Sequence, residues 1–270
     1  MHPFLFELGR FRLPTYGFIS VCALAVVILL IRRYARIEGF DPWQATEAIV
    51  LTIAVGFFGA RVFEALINWD RYFGRPGGLK LLMVSTGVFA GGLITAIPFC
   101  IFWFRHIRLP VLQGLDLLAL AGAVAEGVGR WGCFFSGCCF GTPTDLPWAV
   151  VFPDVARRLH AGLPDVPIHP TQLYMSLNAF AILGVLLLLY RRKRFHGQII
   201  AVYVMLYAIS RCFIELVRGD AGRGVLFGGR MSTSQAFCIL LGVASLAAYA
   251  WLYARHRRRP WDDAGPRRAA

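Results

Sequence analysis

An all-α integral membrane protein with seven transmembrane helices is the fold this sequence predicts, and three observations predict it. Of its 270 residues 57% are hydrophobic and only 16% are charged, and the mean hydropathy is +0.60, outside the usual soluble range. Seven stretches are each long and apolar enough to cross a hydrocarbon core of about 30 Å, which takes roughly 20 helical residues. The basic residues, which give a formal charge of +13, stand in short clusters at the ends of those stretches. That is how topology signals are distributed, not a nucleic-acid surface, so no nucleic-acid partner is expected.

The spans lie near 15–33, 45–67, 80–104, 112–135, 172–190, 197–217 and 233–254. Counted in the connections and at the span ends that flank them, Lys and Arg number 15 on the side of the C-terminus and 10 on the side of the N-terminus. The positive-inside rule then places the N-terminus outside and the C-terminus in the cytoplasm. The tight clusters Arg191 to Arg194 and Arg255 to Arg259 agree with that orientation. A single polytopic domain spanning residues 1–270 follows, with an outer loop over 136–171 and a basic cytoplasmic tail over 255–270 suited to the anionic leaflet.

In chain order, His2 to Pro14 carries Pro3, Gly9 and Pro14 among apolar residues and reads as an interfacial lead-in. Tyr16 and Gly17 open the first span, which no small-residue cleavage site follows, so it is expected to remain as a span. The second span ends with Arg61 and Glu64, one helical turn apart on one face and able to pair. The third carries Ser85, Thr86, Gly87, Ala90, Gly91 and Gly92, small residues that permit close helix approach or a local break around a polar ligand. The fourth carries Glu126 four residues before Arg130, and the sixth stacks Tyr207, Arg211, Glu215 and Arg218 on one face. Two helices thus each bring an arginine and a carboxylate to the same depth, and with Arg61 they predict a polar cavity in the outer leaflet.

Arginines at that depth suit an anionic lipid headgroup, because guanidinium binds phosphate bidentately and keeps its charge when partly desolvated. The fourth span runs into Gly129-Arg-Trp-Gly-Cys-Phe-Phe-Ser-Gly-Cys-Cys-Phe-Gly141. Seven cysteines occur, and Cys22, Cys100, Cys212 and Cys238 fall inside spans as small core residues. For Cys133, Cys138 and Cys139 a disulfide within the set is the leading reading in an oxidising compartment, then close packing with no bond. A metal comes last because no fourth ligand is evident at the usual spacing, so neither a metal nor a cofactor is expected.

These residues carry a resemblance. Gly129 to Gly141, followed by Thr144, Pro147, Trp148, Phe152 and Pro153, is similar to the signature region of the phosphatidylglycerol:prolipoprotein diacylglyceryl transferase family. The similarity extends to Tyr16-Gly17, Gly59-Ala60-Arg61, Gly91-Gly92-Leu93, His169-Pro170-Thr171-Gln172-Leu173-Tyr174, and Leu206-Tyr207 with Arg211, Glu215, Arg218 and Asp220. The resemblance implies a multi-pass enzyme of the bacterial plasma membrane. Such enzymes transfer diacylglycerol from phosphatidylglycerol to the lipobox cysteine of a prolipoprotein signal peptide, forming a thioether and releasing glycerol 1-phosphate.

It also implies roles. Arg130 and Arg211 would hold the lipid phosphate and act in catalysis with Tyr207 and Glu126. Tyr16 and Tyr207 would line the site, with Arg61 and Glu215 in the supporting polar network. Gly91, Gly92, His169, Gln172 and Tyr174 fall on matching substrate-binding motifs. The sequence departs from the family pattern at Cys133 and Ser136, usually asparagine, at Cys138, usually glutamate, at Ala90, usually histidine, and at Met175, usually a carboxylate. Without the histidine, a base for the acceptor thiol would have to come from Glu126, His169 or Tyr207. Two further readings stay open: a divergent relative with another acceptor, and a protein that binds or transports an anionic lipid without chemistry.

Overall fold

The computed structural model describes residues 4–8, 11–74, 78, 87–159, 162–219, 225–226 and 231–258. Asp220, residues 80–86 of the third expected span and the tail beyond 258 lie outside them. Helices dominate: α1 Thr15–Ile37, α2 Pro42–Ile67, the short α3 Trp69–Tyr72, α4 Phe89–His106, α5 Val111–Ser136, the short α6 Asp154–Leu159, α7 Thr171–Tyr190, α8 Gln198–Glu215 and α9 Thr233–Arg258. Among the described residues, α1, α2, α5, α7, α8 and α9 are long and apolar enough to cross a membrane. α4 has 18 residues and covers the C-terminal part of the third expected span.

Two short hairpins interrupt the helical pattern. β1 Phe4–Leu8 pairs antiparallel with β2 Phe11–Pro14, with an irregularity between Phe4 and Phe6. The lead-in is therefore a hairpin that runs straight into α1. β3 Val225–Leu226 pairs with β4 Met231–Ser232 just before α9. Apolar side chains on the long helices stand outward: Phe58, Leu177, Leu188 and Phe213 are all among the exposed large hydrophobics. Exposed apolar surface on this scale suits lipid as the solvent, and in lipid only helices and closed barrels satisfy their own backbone groups.

The chain forms two compact units, residues 31–114 in one and the helical regions before and after them in the other. In the 31–114 unit, α2 and α4 approach through their glycines. A Cβ at Gly59 would lie 1.9 Å from Thr95 Oγ1, and one at Gly91 would lie 2.2 Å from Phe63 Cβ. Thr95 Oγ1 is shared among the Gly91, Gly92 and Val55 carbonyls. Asp41 caps α2 by accepting from the Trp43 amide, with Pro42 at the first helical position. Glu64 accepts from Tyr72 Oη at 2.7 Å and from the Gly87 amide at 2.9 Å, which fixes the left-handed Gly87 (φ 74°) at the entry to α4.

The other unit is joined by side chains that reach neighbouring backbones. Ser176 Oγ of α7 donates to the Gly127 carbonyl of α5, and Ser245 Oγ of α9 donates to the Ala201 carbonyl of α8, each at 2.6 Å. Asn178 of α7 donates to Ser210 of α8 at 2.9 Å. Asp116, fully buried, takes the Lys193 ammonium at 3.1 Å and the Gly197 and Ile200 amides at 2.9 and 3.0 Å. One carboxylate thus caps the first turn of α8 and neutralises a buried lysine.

Removing Lys193 leaves the Asp116 charge buried and uncompensated, which costs about 3–5 kcal/mol. Lys193→Ala should therefore lower the thermal midpoint of the protein in detergent micelles sharply, and Asp116→Asn combined with Lys193→Met should lower it less. Equal losses in the two variants would show that the pair is not the origin of the effect.

Candidate functional site: two arginine–carboxylate pairs beside a three-cysteine turn

α5 and α8 each carry one arginine held by a carboxylate a turn away. Arg130 Nη2 donates to Glu126 Oε1 at 3.1 Å, and Arg211 Nη2 lies 2.8 Å from Glu215 Oε2. Arg218 approaches the same Glu215 oxygen at 3.9 Å, while Ser232 Oγ donates to Glu215 Oε1 at 3.1 Å. Tyr207 lies within electrostatic reach of Glu126, Arg211 and Arg130. Both ion pairs therefore lie within electrostatic reach of Tyr207.

In both pairs the carboxylate occupies only part of the guanidinium, whose five N–H donors form a planar fork. Arg211 turns its Nη1 to the Met175 thioether at 3.9 Å. Sulfur is a weak acceptor, so at the position where the resemblance expects a carboxylate this chain leaves that edge of Arg211 lightly engaged. Burial adds to its value: Arg211 and Glu215 are both buried, where charge-assisted bonds are strong and an unmatched charge is costly. An anion with several oxygens, such as a phosphodiester, matches the unused donors.

Tyr16 reaches this layer from the first turn of α1. Its ring packs against Gly132, where a Cβ would come within 2.7 Å of it, and it lies within reach of Arg130 and the three thiols that follow. Tyr203, four residues before Tyr207, joins the group: the two rings are 6.1 Å apart, and Tyr203 faces Glu126 and Arg130. The sequence reading did not single out Tyr203. Its signal was the four-residue step to Tyr207, which puts both on one face.

Beyond α5 the chain reverses. Gly137 is left-handed (φ 84°) and Cys139 is too (φ 59°), a conformation that strains a residue with a side chain. The turn is held from α7: Gln172 Nε2 donates to the Cys138 carbonyl and Thr171 Oγ1 to the Cys139 carbonyl, each at 2.6 Å. Gln172 is fully buried in this role. Its Nε2 thus positions the signature turn, while its Oε1 has no hydrogen-bond partner among the described residues. Cys133, Cys138 and Cys139 are free thiols, so the leading disulfide reading is not the state seen. Hydrogen bonds from the thiols of Cys133 and Cys138 pull Cys139 below the ordinary thiol range, with Arg218 and Arg130 adding to the effect. Hydrogen bonding to Cys133 and Cys139, with burial, pushes Cys138 up.

The following segment is stitched to the end of α8. Gly141 donates to the His169 carbonyl at 3.1 Å, Thr142 to the Val217 carbonyl at 2.9 Å, and Gly219 to the Phe140 carbonyl at 3.1 Å. Only glycine fits at 141, where a Cβ would meet His169 Cβ at 2.5 Å. The long loop then folds over its own small core of Phe140, Phe152, Ala156, Leu163 and Ile168. Arg157 bridges Asp154 and Asp165 on its surface. Trp148 Nε1 donates to Tyr174 Oη at 2.7 Å, and the same hydroxyl lies 3.2 Å from His169 Nδ1.

The residues picked from sequence thus separate into groups. Arg130, Glu126, Arg211, Tyr207, Glu215 and Tyr16 belong to one polar layer. His169 and Tyr174 form an anchor for the loop with Trp148, and Gln172 holds the turn. Arg61, Gly91 and Gly92 belong to the 31–114 unit. Arg61 stands 5.3 Å over the Phe57 ring, and its buried Nε has no hydrogen-bond partner among the described residues. Gly91 and Gly92 serve the close approach of α2 and α4.

The sequence profile of the prolipoprotein diacylglyceryl transferase family matches residues 3–251. The chain belongs to that family. A phosphatidylglycerol–prolipoprotein diacylglyceryl transferase of Clostridium tetani is 32% identical over 253 residues, covering 90% of this chain and 96% of that protein. Proteins of the same name from Frankia alni, at 32% identity over 96% of this chain and 73% of that protein, and from Fervidobacterium nodosum, at 29% over 95% and 87%, are also similar.

Gln172→Ala would leave the part-buried Cys138 carbonyl without this donor, at a cost of about 1–3 kcal/mol. We expect amide hydrogen exchange over residues 137–141 to quicken in that variant while exchange in α8 stays unchanged. Unaltered exchange in the turn would show that Gln172 does not hold it.

Proposed function

We propose that this chain transfers the diacylglyceryl group of phosphatidylglycerol to the thiol of a prolipoprotein cysteine. The observation that carries the reading is the pair of arginines on α5 and α8, each only partly occupied by its carboxylate and both in the field of Tyr207. Membership of the family over nearly the whole chain supports the same chemistry.

Arg130 and Arg211 hold the phosphodiester. The acceptor thiolate attacks the glyceryl carbon that bears the phosphate, a C–S bond forms, and the C–O bond breaks with its electron pair leaving on glycerol 1-phosphate. Charge grows on the departing phosphate, which is where preorganised guanidinium groups lower the barrier most. Glu126 and Glu215 keep the arginines oriented, and Tyr16 and Tyr207 line the lipid path. The protein sits in the bacterial plasma membrane with seven spans, its N-terminus outside and its basic tail in the cytoplasm. The long loop then faces the side from which a translocated signal peptide presents its cysteine.

Removing one preorganised donor from a charge-stabilising site typically costs about 100- to 1000-fold in turnover. Arg130→Ala and Arg211→Ala should each lose that much transfer from phosphatidylglycerol vesicles to a lipobox peptide, and each should fail to rescue a strain depleted of its own transferase. A wild-type chain that inserts into the membrane yet neither transfers nor rescues would favour a different acceptor or a lipid-binding role.

A further inference from the structure

The phosphate-binding layer makes no use of the three thiols beside it. The sulfur atoms of Cys133, Cys138 and Cys139 all lie within 4.8 Å of one another. Backbone geometry produces that convergence. Cys133 sits in the last turn of α5, its carbonyl takes the Gly137 and Cys138 amides, and the left-handed Gly137 and Cys139 fold the other two thiols back over it. Gln172 and Thr171 then lock the turn by its carbonyls. Strain held in place by buried hydrogen bonds is common where a backbone serves as a ligand clamp.

We propose that Cys133, Cys138 and Cys139 bind one zinc-class divalent cation through three sulfurs and leave its fourth position to the thiol of the acceptor cysteine. Thiolate sulfur selects thiophilic ions over magnesium or calcium. Zinc–sulfur bonds of about 2.3 Å in a tetrahedral site set ligand sulfurs about 3.8 Å apart, a separation within the 4.8 Å that encloses all three sulfurs here. Three protein ligands and one exchangeable position is the arrangement of a reactive zinc site, whereas structural sites are closed by four.

The fourth position answers a gap in the chemistry. A free thiol with a pKa of about 8.5 is mostly protonated at neutral pH, and this chain carries Ala90 where its family usually has histidine. A thiol that coordinates the ion loses its proton to solvent without a protein base. The metal-bound thiolate then forms the C–S bond as the phosphate leaves, and nothing is oxidised or reduced. Arg130 and Arg218 lie within electrostatic reach of Cys139 and offset the negative charge of a thiolate-rich centre. The substrate role of this site rests on the transferase reading; the ion site itself does not.

The test uses the full chain in detergent micelles, purified with a thiol reductant, exposed to Zn(II) or Co(II) and desalted. We expect about one metal per chain by elemental mass spectrometry, and less than about a tenth of that in the Cys133→Ser, Cys138→Ser, Cys139→Ser triple variant. The cobalt form should show a thiolate-to-metal absorption band that shifts with a lipobox peptide and does not shift with the same peptide carrying serine for cysteine. Wild-type protein that retains no metal, or no more than the triple variant, overturns the site. A band indifferent to the peptide overturns the fourth-ligand role, as does a triple variant that transfers lipid at the wild-type rate. A preparation that loads metal and responds to the peptide but transfers nothing sinks the transferase reading and leaves the ion site standing.

Discussion

A charge inside an apolar helix persists only if an opposite charge or a full set of hydrogen bonds meets it there. Three buried or half-buried pairs obey this rule: Asp116 with Lys193, Glu126 with Arg130, and Glu215 with Arg211. The first is closed, because Asp116 also takes two amides of α8 and has little left to offer. The other two are open, because one carboxylate cannot occupy a whole guanidinium. That contrast separates an ion pair whose hydrogen-bonding capacity is used up from one with donors to spare. Both open pairs sit on α5 and α8, the two helices that Asp116 of the closed pair joins through the first turn of α8.

Much of the helical frame was legible in the sequence because apolar length is a direct physical requirement of a bilayer. Arginine and carboxylate placement was legible too: a four-residue step on a helix fixes a shared face, so the pairing of Glu126 with Arg130 and of Arg211 with Glu215 followed from spacing alone. Asp116 escaped notice because its partner lies 77 residues away in a cluster that reads as a topology signal. The hairpin over Phe4 to Pro14 was missed for a similar reason, since pairing between strands depends on the turn that joins them.

Motif residues were harder to assign than their positions. Gln172 belongs to a conspicuous hexapeptide, yet its Nε2 is committed to the Cys138 carbonyl, and Gly91 and Gly92 act through what they lack. A sequence shows which residue types cluster; only the fold shows whether a polar side chain faces a ligand or a neighbouring backbone. The cysteines illustrate the converse. Their spacing offers no fourth ligand and ranked a metal behind a disulfide and close packing, but two left-handed residues bring three sulfurs together in a way that no linear motif describes.

The stitching of Gly141 and Thr142 to His169 and Val217 has a mechanical consequence. Hydrogen bonds tie the beginning of the long loop at once to its own end and to the chain just past α8. A segment tied in that way cannot swing as a free flap. A displacement at its tip must pass through the 140–142 strip into the residues that follow Glu215, one turn from Arg211. The loop is therefore anchored, where it begins and where it ends, to one strip of backbone that also holds the residues following Glu215.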